Sequence, residues 1–314
     1  MSLFHGVLFF PVTPFTPTGQ VAPDLLARHV RAGLDAGAGG VFVACGTGEF
    51  HALEPEEYAL AVRAAVEATG GRVPVYAGAG GPLPLARAFA RAARAAGADG
   101  LLLMPPYLVR SPAAGLVRYV EQVAAETDLP VIVYHRGTAV LDPASAAEVA
   151  LLPQVVGIKD GYGDLELMAR IVTSVRQALR ERGEGKPFRF FNGLPTAEVS
   201  VPAYREIGVE LYSSAVFCFA PDISTAFHRA VESGDGDLVE GLLATFFRPL
   251  VALRDRVPGY AVALVKAGVR QGGLDVGGVR PPLLDPAEPD LAELARITAA
   301  GRALAAAQPA RARR

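Results

Sequence analysis

The chain has 314 residues, is 51% hydrophobic and 20% charged, and carries a formal net charge of -2. That is an ordinary globular composition, with no electrostatic reason to expect nucleic acid or an anionic membrane as partner. Two cysteines, Cys45 and Cys218, without C-x-x-C spacing suggest neither a disulfide framework nor a zinc knuckle, and a reducing cytoplasm is the default.

The first apolar run, Gly6 to Val12, contains Pro11, follows no Lys or Arg, and is too short to span a bilayer. It reads as a strand, not as a signal peptide or anchor. Short apolar runs then alternate with longer amphipathic stretches. The strands are expected at Val7–Val12, Gly40–Ala44, Val73–Ala77, Gly100–Met104, Val131–Tyr134, Val155–Lys159, Phe188–Asn192 and Leu211–Ser214. Between them Asp24–Ala36, Pro55–Ala68, Leu83–Ala96, Pro112–Thr127, Asp164–Arg180 and Thr196–Glu206 carry helical periodicity. Most strands are apolar throughout, as when both faces of a parallel sheet are covered. Eight β/α units favour closure into a (β/α)8 TIM barrel, predicted over residues 1–221. The junctions at Gly37, Gly97 and Gly208 echo one another and suit left-handed helix C-caps.

After Ser214 the strand signal stops. Asp222–Ser233, Asp235–Arg254, Tyr260–Gln271 and Pro286–Ala307 read as helices, giving a C-terminal helical extension, residues 222–314, packed on the barrel. Its last residues, with Arg311, Arg313 and Arg314, read as a solvated terminus.

In such barrels the chemistry sits at the C-terminal ends of the strands. Of the 30 cationic residues only Lys159, Lys186 and Lys266 are lysine. A lysine ending the apolar run Val155–Ile158 therefore asks for a chemical explanation: burial would lower its pKa and supply a nucleophilic amine. Strand five ends Tyr134-His135-Arg136. Tyr134 is either a proton shuttle or a packing residue, and His135 reads as a satisfied structural side chain. Arg136 either binds a carboxylate or pairs with a surface acid.

Strand two runs into Gly46-Thr47-Gly48-Glu49, a turn whose N–H groups and hydroxyl suit a carboxylate. Gly193 and Thr196 follow strand seven, and Ser214 ends strand eight; these small polar groups either face a ligand or serve structure. Gly78-Ala79-Gly80-Gly81 fails the dinucleotide pattern because Leu83 replaces its third glycine, which argues against a nucleotide-dependent oxidoreductase. No metal-ligand spacing is present, and Cys45 has no partner for thiol catalysis.

The G-T-G-E turn at Gly46–Glu49, Tyr134, and the G-I-K-D segment at Gly157–Asp160 resemble the dihydrodipicolinate synthase/N-acetylneuraminate lyase superfamily. Met104-Pro105-Pro106-Tyr107-Leu108, Arg136, Lys159-Asp160-Gly161, Gly193–Glu198, Tyr212–Phe217, Pro258–Val262 and Val279–Leu283 resemble its decarboxylating dehydratase branch. The resemblance runs from about Phe4 to Pro286. It implies Lys159 as the Schiff-base nucleophile, Tyr134 as the proton-transfer group, Thr47 at the carboxylate beside the ketone, and Gly193 against the bound keto acid. Tyr107 matches a subunit-contact tyrosine, so a homotetramer or dimer is implied. The implied substrate is a six-carbon keto sugar diacid, handled without metal or organic cofactor. Two departures stand out: Gly46 replaces a threonine of many members, and His135 replaces the branch's asparagine. A pyruvate aldolase or synthase of the same superfamily is the nearest alternative, and a keto-acid-binding barrel without turnover the more distant one.

Overall fold

The computed structural model describes residues 4–183 and 185–307, so the terminal arginines expected to be solvated lie outside the described residues. Eight parallel strands close into a barrel in chain order: β1 (Val7–Phe9), β2 (Ala38–Val43), β3 (Val75–Ala79), β4 (Gly100–Leu103), β5 (Val131–His135), β6 (Val155–Asp160), β7 (Arg189–Asn192) and β8 (Leu211–Ser214). The expected (β/α)8 architecture is thus observed. The helices between them are α1 (Pro23–Asp35), α2 (Pro55–Thr69), α3 (Leu83–Ala95), α4 (Ala113–Ala124), α5 (Pro143–Ala150), α6 (Leu165–Glu181) and α7 (Val201–Glu206). Gly37, Gly97 and Gly208 take φ of 94°, 86° and 85°, the left-handed turn expected where a helix ends and the next strand begins.

Aromatic residues fill the barrel interior. Phe4 packs on Phe42, Tyr76 and Phe191 at 5.0–5.6 Å between ring centroids, and Phe10 stacks on Phe42 at 4.5 Å. All five are almost fully buried. This plug fills the lumen, and its ring at Phe10 lies against Lys159 at the C-terminal end of the strands.

Beyond β8 come α8 (Pro221–Ser233), α9 (Gly236–Leu242), α10 (Arg248–Arg254), α11 (Tyr260–Gln271) and α12 (Glu288–Ala306). α8 packs on β1 and supplies the eighth helix of the barrel layer. The extension proper therefore starts at α9, later than the boundary expected at residue 222. The single helix expected over Asp235–Arg254 carries a widened π turn at Leu243–Phe247, followed by Pro249. Proline lacks the N–H that would bond the Thr245 carbonyl, and its ring crowds that turn, which accounts for the widening.

One buried ion pair ties the extension to the barrel. Lys266 Nζ on α11 lies 2.7 Å from Glu49 Oε1 in the turn after β2, and both side chains are 0% exposed. Lys266 also donates to the Gly278 carbonyl at 2.7 Å, and the Arg280 N–H donates to Glu49 Oε2 at 2.8 Å. Truncating one member strands the other charge in the interior. Lys266→Met is expected to lower stability by about 3–5 kcal/mol. Adding Glu49→Gln should restore most of that loss, as read from the midpoint of chemical denaturation.

Candidate active site

At the C-terminal ends of the strands lies a cavity of about 510 Å³. Lys159 and Tyr134 stand side by side because β5 and β6 pair in register at these two residues. Lys159 Nζ sits 4.2 Å from the centroid of the Tyr134 ring and 4.5 Å from that of Phe10, the upper ring of the aromatic plug. The side chain is 5% exposed, and among the described residues no carboxylate pairs with it. Burial is the main force holding its pKa below the ordinary lysine value; the Arg136 charge works in the same direction and the Tyr134 hydroxyl against it. The site thus favours a neutral amine.

Tyr134 donates its hydroxyl to the Gly193 carbonyl at 2.7 Å and accepts from Arg136 Nη1 at 3.0 Å. Its oxygen is held between an acceptor and a cation, which suits a group that gives up and regains a proton. Gly193 is dictated by contact: a Cβ there would lie 2.7 Å from Lys159 Cγ and 2.8 Å from its Cε. At Gly46 a Cβ would meet nothing within 4 Å, so this position leaves open space in the cavity. Thr47 is half-buried beside it.

The structure brings Gly46, Thr47, Tyr107, Tyr134, Arg136, Lys159, Gly193 and Thr196 together around this cavity. Ser214 is the exception. It is fully buried away from the cavity, donating to Glu198 Oε1 at 2.6 Å and lying 2.8 Å from Ser224 Oγ. Successive strand residues face opposite ways, so its neighbour Ser213 lines the cavity instead. His135 is likewise turned away: its Nδ1 accepts from the Leu141 N–H at 3.0 Å, and Nε2 faces Asp160 at 3.9 Å. Asp160 in turn accepts from the Tyr204 hydroxyl and the Tyr162 N–H. This web fixes the chain immediately after Lys159.

Among the described residues, all five non-glycine positions with positive φ lie in loops at this end of the barrel: Ala44, Glu49, Tyr107, Leu108 and Thr196. For β-branched Thr196, at φ 53°, the conformation is strained by on the order of 1–3 kcal/mol. Strain of this kind persists only where surrounding contacts hold it, and it concentrates where loops are shaped for a ligand.

Residues 3–300 match the model of the dihydrodipicolinate synthetase family. The chain belongs to this family. It is 58% identical over 301 residues to a protein of Streptomyces griseus named probable 5-dehydro-4-deoxyglucarate dehydratase, covering 96% of this chain and 93% of that one. A Bradyrhizobium diazoefficiens protein of the same name is 44% identical over 300 residues, covering 93% and 90%. Among solved structures, a dihydrodipicolinate synthase from Oceanobacillus iheyensis superposes with a TM-score of 0.82 at 26% identity, covering 94% of this chain and 95% of that one. YagE of Escherichia coli, solved in complex with pyruvate, gives 0.81 at 27% identity, covering 93% and 97%.

Three lining residues were not among the sequence candidates: His51, Thr138 and Arg254. His51 and Thr138 had no distinguishing sequence context, and Arg254 sits in the helical extension. Burial pushes the Cys45 thiol up to about 12, which disfavours its thiolate. Because the Arg136 charge disfavours the Lys159 ammonium, Arg136→Met is expected to raise the Lys159 pKa. The acidic limb of the kcat/KM profile should then move to higher pH, as measured by initial rates across a buffer series.

Proposed function

We propose that this chain is a 5-dehydro-4-deoxyglucarate dehydratase that works through a Schiff base on Lys159. The observation that carries the reading is an unpaired, buried amine at a cavity suited to a dianion. Lys159, Arg136 and Arg254 line it, and among the described residues no Asp or Glu does. The relatives' names support the substrate, and the placement of these groups around one cavity supports the roles assigned below.

The Lys159 amine attacks the ketone while the Gly46–Thr47 turn holds the neighbouring carboxylate. Tyr134 carries protons through the carbinolamine, which loses water to give a protonated imine. That imine is an electron sink, so the adjacent CH₂ loses a proton and an enamine forms. The enamine expels the hydroxyl one carbon further on, as water, leaving a conjugated imine. The bond to the far carboxylate then breaks. CO₂ leaves, and its electron pair flows along the conjugated chain to the imine nitrogen. Reprotonation on carbon, ketonisation of the terminal enol and hydrolysis release 2,5-dioxopentanoate and the free amine. The iminium is electron sink enough that the reaction calls for no metal or organic cofactor. Holding the ketone against the amine is worth several kcal/mol of barrel-mouth positioning, on the order of what oriented intramolecular reactions gain.

A homo-oligomer, tetramer or dimer, is part of the same reading. Leu108 and Val109 beside Tyr107 are exposed apolar groups at the cavity rim, where a second copy would cover them. Two buried unpaired cysteines suit a cytoplasmic setting, and no helix of the described residues is long and apolar enough to cross a membrane.

Borohydride added with 5-dehydro-4-deoxyglucarate is expected to add the mass of a reduced adduct to the parent protein and nothing to Lys159→Ala, which should also lose turnover. Equal trapping of the substituted protein would refute Lys159 as the nucleophile. Release of pyruvate in place of CO₂ would reassign the chain to the aldolase branch.

A further inference from the structure

Arg254 enters the cavity from outside the barrel. It ends α10, just after the π turn, and shares a helix face with Leu250, four residues earlier; both line the cavity. One inserted residue rotates everything after it by about 100° around the helix axis. The widened turn therefore helps set which face of α10 meets the barrel mouth.

Three of the five guanidinium N–H groups are held. Nε donates to Asp255 Oδ1 at 2.8 Å, and Nη1 donates to the Pro195 carbonyl at 2.8 Å and to the Thr196 hydroxyl at 3.0 Å. Nη2 donates to no protein group among the described residues. The side chain is 18% exposed. The geometry is that of a guanidinium oriented by its neighbours with one donor nitrogen left open. It also explains why strained Thr196 is held as it is: its hydroxyl accepts from Arg254.

The cavity's lysine and its other arginine have work at the ketone end. Lys159 must be neutral to attack, and Arg136 engages the Tyr134 oxygen. Arg254 is held instead by Asp255, Pro195 and Thr196. It lies at the far end of the Gly193–Thr196 segment, whose first residue packs on the Lys159 stem. Three residues span on the order of 10 Å at most. A six-carbon chain with hydrogen-bonded ends can bridge that distance.

We infer that Arg254 is the specificity residue that receives the carboxylate remote from the ketone and so distinguishes a keto diacid from a keto monoacid. The inference rests on the Schiff-base reading above. The remote carboxylate is also the one that departs. Its charge drains toward the imine as the bond breaks, so its pairing with Arg254 is strongest before cleavage. Loss of the cation therefore weakens binding more than it slows the bond-breaking step, and appears in KM more than in kcat.

The test compares the parent protein with Arg254→Met and Arg254→Lys. Turnover is measured with 5-dehydro-4-deoxyglucarate. Borohydride trapping is titrated with the monoacid in which a hydroxymethyl group replaces the far carboxylate, and with pyruvate. Arg254→Met is expected to raise KM for the diacid about 10- to 100-fold, the worth of one charge-assisted contact, with a smaller change in kcat. Half-maximal trapping by the monoacid and by pyruvate should stay within about twofold of the parent, because neither ligand uses the contact. Arg254→Lys should recover part of the diacid affinity. An unchanged KM for the diacid would overturn the inference, and so would equal weakening of diacid and monoacid, which marks a merely structural role. Failure of the parent itself to be trapped by any of the three keto acids would instead overturn the Schiff-base reading beneath it.

Discussion

An amine can be a nucleophile near neutral pH only if its protonated form is made unwelcome, and the placement of Lys159 does this by dehydration. The Phe10 and Tyr134 rings flank its nitrogen, the aromatic plug of Phe4, Phe42, Tyr76 and Phe191 seals the lumen beneath, and no carboxylate compensates the ammonium. The contrast with Lys266 is instructive. That lysine is at least as buried, but it meets Glu49 at 2.7 Å and donates to a carbonyl. One buried lysine is paired with a carboxylate; among the described residues the other is not. The difference has a thermodynamic sign. Between the lowered folded pKa of Lys159 and the ordinary value of 10.5, the unfolded chain binds more protons, so stability rises with pH through that window. Burial of Lys159 thus costs stability below that window.

The remaining groups divide by origin. Register places Tyr134 beside Lys159, and the turn after β2 presents Gly46 and Thr47, so the strand ends supply one wall of the cavity. The extension contributes the opposite wall through Leu250, Arg254, Tyr260 and Leu264. The Glu49–Lys266 pair joins these two halves directly beneath the β2 turn. Rigid connection matters because a ligand that touches both the barrel and the extension is positioned only as well as the two are fixed to each other.

Much of this was legible in the residue order. Eight apolar runs with helical spacers led to the barrel, and the scarcity of lysine singled out Lys159. The same scarcity could have flagged Lys266, but its helix offered no strand end to suggest function. Helix α5 went unread because eight mostly small residues carry too little 3.6-residue periodicity; its Asp142-Pro143 start and the Asp142–Ser145 capping box were the available signal. Ser214 was chosen over Ser213 because two adjacent hydroxyls look equivalent until strand parity is known. A slip of one residue exchanges the cavity for the helix layer, where Ser214 meets Glu198 and Ser224. Arg254 was invisible for a different reason: its role depends on a π turn and on tertiary docking of α10, and neither has a local hydrophobic signature.

The strained positions follow from the same division. Thr196 is β-branched and left-handed, in a loop whose start must be glycine because the Lys159 stem occupies the space a side chain would take. A chain optimised for stability alone would relax both residues. Here the loop runs from Gly193, against the Lys159 stem, to Thr196, against the Arg254 guanidinium, so its conformation sets the spacing of those two basic groups. Gly46 leaves open space on the facing wall, at a position where a threonine would narrow the cavity. Room there and a cation beyond Thr196 are complementary requirements for a substrate longer than a three-carbon keto acid. On the proposed reading, the cavity joins a Schiff-base floor on the strand ends to an upper wall that receives a second carboxylate.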